Sequence, residues 1–292
     1  MSSKHRTLVD WLPRLVVAPS FIVSLLFIYG LMAWNGYLSL SASRILPNYD
    51  FVGLQQYLAL LESDRFRVAM TNMGIFGALF IGGAMALGIF LAILLDQKVR
   101  AEGVLRTIYL YPMAVSMIVT GTAWKWILNP GLGLEHLMHQ WGFDSFSFDW
   151  LVQQDTAIYC VVIAGVWQSA GFVMALFLAG LRGIDESIIK AAQVDGASLP
   201  RIYWSIILPS LRPVFFSTLM VVSHLAIKSF DLVMALTAGG PGYATDLPAT
   251  FMYATAFTRG QIGLGAASAT IMLATVAAIV VPYLYSELRS KR

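Results

Sequence analysis

Long stretches of apolar side chains alternate with short polar connections along the whole chain. Six apolar runs stand out, at Leu15–Leu38, Met73–Leu95, Thr107–Leu128, Ala157–Leu181, Val214–Leu236 and Leu264–Ser286. Each reaches the ~20 residues that an α-helix needs to cross the hydrocarbon core of a bilayer. Strands of a transmembrane barrel would be about half as long and would alternate in polarity. The pattern therefore predicts an all-α integral membrane protein with six spanning helices. Pro19 and Pro112 fall inside the first and third runs, where a missing backbone donor predicts a kink. Small residues gather in the second run (Gly74, Gly77, Gly82, Gly83, Gly88) and in the sixth (Gly265, Ala266, Ala267, Ser268, Ala269). They permit close helix packing, either within this chain or against a second one.

Composition removes the alternatives. Of 292 residues, 58% are apolar and only 12% charged, half of the ~25% found in soluble domains. That is too little charge for a water-facing surface. Disorder is excluded as well, because disordered chains are polar and highly charged. The net charge of +3 would suggest nucleic acid in a soluble protein, but its distribution gives another reading, with no nucleic-acid partner. Lys4, Arg6 and Arg14 precede the first span, and Lys98, Arg100 and Arg106 lie in the second connection. Arg182, Lys190, Arg201 and Arg212 lie in the fourth, and Arg289, Lys291 and Arg292 in the tail. The opposite side holds only Arg44, Arg65, Arg67 and Arg259, and the third connection carries Glu135, Asp144, Asp149 and Asp155. Cytoplasmic loops collect Lys and Arg, so both ends, segments 1–14 and 287–292, are expected in the cytoplasm on either side of a membrane domain of residues 15–286. The single Cys160 allows no intrachain disulfide and reads as a small packing residue. The first run is longer than the apolar part of a cleavable signal peptide.

The fourth connection, residues 182–213, is more organised than a tether needs to be. Asp185 is a good N-cap for a helix carrying Ile188, Ile189 and Ala192. Gly196 suits the left-handed residue that closes such a helix. Ser198 can cap a second helix, with Pro200 tolerated in its first turn, and Pro209 bends the chain on its return to the membrane. A capped amphipathic element of this kind suits docking into a partner's groove.

The same loop carries a family resemblance. Ala191, Ala192, Asp195, Gly196, Ala197, Ser198, Tyr203, Ile206, Leu208, Pro209 and Pro213 resemble the EAA loop of membrane subunits of binding-protein-dependent ABC importers. The resemblance implies the type I importer fold, with this loop as a cytoplasmic coupling helix seated in a cleft of an ATP-binding subunit. Where the family usually has Glu, this chain has Lys190. The inverted charge leaves docking to apolar contacts and the Gly196 turn, or to an acidic partner residue. Phe51–Tyr57 with Asn72, Arg106-Thr107 with Pro112, Trp124-Lys125-Trp126 and Ala179-Gly180-Leu181 extend the similarity along the chain. Leu236-Thr237-Ala238-Gly239-Gly240-Pro241 resembles the LTxGGP loop of maltose-F-like or glycerol-phosphate-A-like permeases of carbohydrate uptake. The resemblance further implies half of a permease heterodimer in a bacterial inner membrane, working with two ATP-binding subunits and a periplasmic or extracellular sugar-binding protein. Alternating access would be driven by ATP and Mg held in the partner chains. Among solutes it favours a monosaccharide such as glucose or mannose, with glycerol phosphate and oligosaccharides also in view. Asp144 and Asp149 of the acidic connection, with Gly239, Gly240 and Pro241, are the expected docking surface for the binding protein.

Charges inside a bilayer are expensive and mark functional sites by default. His224, Lys228 and Asp231 stand at i, i+4 and i+7, one face of a continuous helix. They line a solute path, or Lys228 and Asp231 pair against a sibling subunit, or Lys228 snorkels to the interface. Trp167 and Gln168, with Ser169, offer ring stacking and hydrogen bonding near the middle of the fourth span, or ordinary packing. Trp124, Lys125 and Trp126 read as an interfacial aromatic belt. His136 and His139 are spaced like a metal pair but lack a third ligand. There is no GxxxxGK[ST] phosphate loop, so a transport subunit is expected rather than an enzyme, with no cofactor of its own. The competing reading is a six-span secondary transporter or channel without ATPase partners, which would show internal repeats; none is evident.

Overall fold

The computed structural model describes the backbone of residues 3–290 apart from Pro47 and Lys98, and side chains from Pro13 to Tyr285. The expectations placed on Lys4, Arg6, Lys98, Arg289, Lys291 and Arg292 fall outside the described side chains, and the end segments 1–14 and 287–292 do so almost entirely. Among the described residues there is no strand, only an isolated bridge between Ser41 and Phe51.

Four of the six apolar runs are single long helices. They are α1 (Pro13–Ser39), α2 (Asp64–Asp96), α5 (Ala157–Arg182) and α9 (Ile262–Ser290). The third run is instead a broken pair, α3 (Glu102–Ala114) and α4 (Met117–Ile127), bent by 101°. The capped helix predicted in the fourth connection is α6 (Glu186–Val194). A segment Leu199–Ser210 follows and meets α7 (Arg212–Ile227) at 65°. The fifth run then breaks again before α8 (Asp231–Leu236). Six spans result if each bent pair is one crossing.

Local chemistry explains most of these boundaries. The Ser63 hydroxyl caps α2 by accepting from the Phe66 amide, and Ser116 does the same for α4 through Val119. Pro112 sits two residues before the end of α3, close to where the chain turns. Pro19 behaves differently. The helix runs through it, and the widening comes later as a π-helical turn at Leu25–Gly30.

The chain divides into two compact units, Met1–Leu61 with Met252–Ile271, and Glu62–Phe251 with Met272–Arg292. In the first, Asn35 donates to Thr270 Oγ1 (3.1 Å) and to the Ala266 carbonyl (3.3 Å), joining α1 to α9. Gln56 donates to the Ser41 carbonyl and the Gly263 amide to that of Ser43, both at 2.9 Å. Such bonds count in a bilayer, where helices gain little from apolar burial and associate by packing and polar contacts. The outer faces of α1 are apolar and exposed, at Val16, Phe21, Leu26 and Phe27, as a lipid-facing helix requires.

In the second unit α5 is the central helix, with Cys160, Val161, Ala164, Val173, Met174 and Phe177 almost fully buried. The glycine cluster of α2 has a divided role. A Cβ on Gly88 would stand 2.5 Å from Val173 Cβ, and one on Gly83 would stand 2.9 Å from Val166 Cγ2. These two glycines therefore let α2 lie against α5. Gly74, Gly77 and Gly82 face open space. Farther along, a Cβ on Gly121 would meet Ala235 Cβ at 2.7 Å, which is how α4 and the short α8 come together.

Candidate functional site

Loop 182–213 folds as its local sequence predicts. Asp185 caps α6 by accepting from the Ser187 amide at 2.8 Å, and that bond holds its carboxyl below the usual range. Gly196 adopts φ +76°, and the Ala197 amide reaches back to the Ala192 carbonyl at 3.0 Å, closing the helix in the Schellman manner. Nothing lies within 4 Å of a Cβ built on Gly196, so its backbone angle, not space, demands glycine. Ser198 occupies its predicted cap position but makes no side-chain cap bond. Ile189, Ala192 and Ala197 turn toward the core. Ile188, Ala191, Val194, Leu199 and Trp204 are exposed, leaving an apolar surface outward.

Lys190 has a partner that spacing alone leaves open. Its Nζ lies 2.9 Å from Glu186 Oε2 one turn back, and that hydrogen bond raises its pKa. Tyr203 ties the far end of the loop to α2. Its hydroxyl accepts from Gln97 Nε2 at 2.6 Å and donates to Asp96 Oδ2 at 3.4 Å. Burial, then the Asp96 charge, pushes this phenol upward. Leu208 is half-buried, Asp195 and Pro209 are exposed, and the chain bends just after Pro209.

Midway along α5 a cavity of ≈ 270 Å³ opens between α3, α4, α5 and α7, lined by Met113, Met117, Gln168, Ser169, Phe172, Val221 and Leu225. The break at Val115 leaves its carbonyl outside the helical ladder, and Gln168 Nε2 donates to it at 2.8 Å. Gln168 Oε1 is buried without a hydrogen-bond partner. One end of this side chain thus repairs the broken helix while the other is buried and unpartnered.

Of the residues expected along the solute path, Gln168 and Ser169 line the cavity. Trp167 packs edge-on against Trp124 with centroids 5.8 Å apart. His224, Lys228 and Asp231 are exposed and do not share one helical face. The helix ends at Ile227 with Lys228 as its C-cap, and Asp231 opens α8. The i, i+4, i+7 reading assumed an unbroken helix. A lysine at one helix C-terminus and an aspartate at the next N-terminus each complement the local dipole, which favours the break. Among the described residues no ion pair joins the two. Met113, Met117, Phe172, Val221 and Leu225 carried no polar signal in the sequence; the adjacent Pro112 and Ser116 were the available hint of a break there.

The loop after α8 closes on itself. Thr237 and Thr245 hydroxyls lie 2.7 Å apart, Thr245 Oγ1 donates to the Gly240 carbonyl, and the Thr245 amide donates to that of Gly239. Gly239 is buried and Gly240 and Pro241 are half-buried, so the exposed tip is Gly242-Tyr243. Gly239, expected at a docking surface, instead shapes the loop from inside, with φ +85° and Asp246 Oδ1 2.7 Å from where a Cβ would stand. Asp246 pairs with Arg65 at 2.6 Å, and Asn72 Nδ2 donates to the Ala244 and Asp246 carbonyls. None of Arg65, Asn72 and Asp246 was singled out as a site residue. In the third connection Asp144 is exposed, Asp149 accepts from Gln153, and Glu135 accepts from the Phe148 amide at 3.0 Å. His139 bonds the Phe146 carbonyl and His136 bonds Gln140. Among the described residues no three metal-binding side chains cluster.

Long apolar helices and broken spans around a cavity, with a capped helix pair in one connection, are the architecture of a polytopic membrane protein. The chain belongs to the binding-protein-dependent transport system inner membrane component family, whose model matches residues 84–290. It is 39% identical to a probable ABC transporter permease protein of Pyrococcus horikoshii over 93% of this chain and 94% of that one. It is 35% identical to a xylose/arabinose import permease protein of Haloferax volcanii, covering 91% and 85%. With a trehalose/maltose transport system permease protein of Thermococcus litoralis it shares 31%, covering 97% and 96%. The fold matches that of a bacterial ABC transporter chain involved in alginate import with a TM-score of 0.84 at 20% identity, covering 97% of each chain. These relatives are ABC permeases, which leaves the secondary-transporter alternative without support.

Proposed function

We propose that this chain forms one half of the translocation path of an ATP-driven importer for neutral sugars. A sibling permease completes the path. Two ATP-binding subunits hold ATP and Mg and dock on loop 182–213 through Lys190, Ala191, Ala192, Asp195, Gly196, Ala197, Tyr203, Leu208 and Pro209. Both chain ends lie in the cytoplasm, in keeping with the Lys and Arg bias. A soluble sugar-binding protein docks from outside on the acidic third connection, Asp144 and Asp149 included, and on the tip of the Gly239-Gly240-Pro241 loop. Each ligand favours a different state, and the cycle runs on those differences.

The observation that carries the solute class is the cavity at Gln168. Discontinuous spans near the bilayer midplane are where transporters hold solutes. No ionised side chain lines this one, so nothing there neutralises a phosphate. Gln168 and Ser169 are the polar side chains of its wall. The apolar walls at Met113, Met117 and Phe172 suit the carbon faces of a sugar ring. At ~30 Å³ per water, the volume corresponds to about nine waters, which fits a small sugar such as glucose or mannose. The names of two relatives, an importer permease for xylose/arabinose and one for trehalose/maltose, support the same class. His224, Lys228 and Asp231, exposed on the isolated chain, then face the sibling permease or the wider path.

The test is uptake by the complete transporter with its solute-binding protein, over a panel of pentoses, hexoses, disaccharides and glycerol 3-phosphate. A neutral sugar is expected to be transported, with Gln168→Leu raising its KM. Preference for glycerol 3-phosphate would overturn the neutral-sugar reading.

A further inference from the structure

Three contacts join α3 to α5. At the membrane middle, Val115 just past α3 accepts from Gln168. Lower down, a Cβ on Gly171 would lie 2.0 Å from the Tyr109 carbonyl oxygen, so the two backbones touch there. At the cytoplasmic end, Arg182 Nη2 meets Glu102 Oε1 at 2.6 Å. Glu102 is the first residue of α3 and Arg182 the last of α5, four residues before α6 begins. Met113, near the other end of α3, is in the cavity wall. Thirteen helical residues reach about 20 Å at 1.5 Å each, so α3 is a stiff rod from the ion pair to the cavity. At its far end, where Gln168 holds the Val115 carbonyl, the chain breaks and turns by 101° into α4. Tyr203 and Gln97 tie the other end of the loop to the base of α2.

We propose that the Arg182–Glu102 ion pair makes α3 follow α5, so that a displacement of the cytoplasmic loop is delivered to the cavity wall at Met113. Arg182 and Glu102 are positioning residues, and Gln97, through Tyr203, seconds them. The inference rests on the coupling role proposed above for loop 182–213. The pair is partly exposed, with side chains at 45% and 30%, and such pairs add little to folding stability. Its loss therefore separates transmission from folding. Without it α3 keeps its seat at Gly171 but is released at its base.

The experiment uses the complete transporter in proteoliposomes with its solute-binding protein and measures solute moved per ATP hydrolysed. Glu102→Gln and Arg182→Gln are each expected to lower that ratio by about threefold or more while the complex still assembles. The reversed pair, Glu102→Arg with Arg182→Glu, is expected to recover most of it. Adding Gln97→Ala to Glu102→Gln should lower it further. A wild-type ratio in the single variants, a reversed pair as uncoupled as the singles, or a fall in yield and thermal midpoint with the ratio intact would each overturn the proposal. Failure of the unmodified chain to associate with any ATP-binding subunit would instead remove the coupling reading itself.

Discussion

Arg65 Nε lies 2.6 Å from Asp246 Oδ2, with the two side chains only 15% and 2% exposed. The pair joins the first turn of α2 to the loop after α8. The Arg65 guanidinium also sits 4.3 Å from the Tyr243 ring centroid, and Thr250 donates to the second Asp246 oxygen at 2.9 Å. Removing one member of a buried, hydrogen-bonded ion pair costs about 3–5 kcal/mol. Asp246→Ala is expected to destabilise the protein by that order, read as a fall in thermal midpoint in detergent. Arg65→Ala, which strands the more deeply buried Asp246 carboxylate, should cost at least as much.

Gly239 and Gly242 differ in what surrounds them, although both have positive φ. Gly239→Ala forces a left-handed residue, at roughly 1–2 kcal/mol, and drives its Cβ onto the buried Asp246 carboxylate. Gly242→Ala carries only the backbone cost, because its nearest neighbour is the end of the Gln154 side chain at 3.3 Å. Thermal midpoints should therefore rank wild type, Gly242→Ala, then Gly239→Ala.

A second glycine contrast lies within α2. Gly88→Ala overpacks the contact with Val173 and is expected to cost about 1–3 kcal/mol. Gly77→Ala has open space and gains helix propensity of up to about 1 kcal/mol. Thermal unfolding of the two variants in parallel checks both the signs and their difference.

Lys190 supplies a prediction in pH. Glu186 holds its ammonium above the usual lysine range. A raised lysine contributes its stabilisation fully below the unfolded value of about 10.4 and loses it only as pH climbs through the higher folded value. Hydrogen-exchange protection of α6 should thus stay flat from about pH 6 to pH 9. Lys190→Glu places like charges one turn apart, which frays α6. Co-purification of the ATP-binding subunit is expected to fall, and retained association would show that the partner does not read this charge.

Much of this architecture was legible because a bilayer imposes simple rules. Four spans appear as continuous helices near the limits their apolar runs marked, since no other local structure satisfies the backbone in hydrocarbon. The Asp185 cap and the Gly196 closure were equally legible, because both act within a few residues. The reading of His224, Lys228 and Asp231 as one stripe failed where a helix ended before its hydropathy did. Gly239 was legible as part of a motif but not as an inward-facing residue.

What the amino-acid sequence determined alone was the membrane class, the place and order of the apolar helices, and the capped helix pair of the fourth connection, all consequences of short-range periodicity and capping. Tertiary structure decided the rest. It paired Arg65 with Asp246 across 181 positions, set Gln168 against a carbonyl freed by a break in another span, and enclosed a cavity by apolar residues that no local pattern distinguishes from lipid-facing ones. Those choices depend on which helices touch, and the energy of a contact between distant residues is not written in the neighbourhood of either.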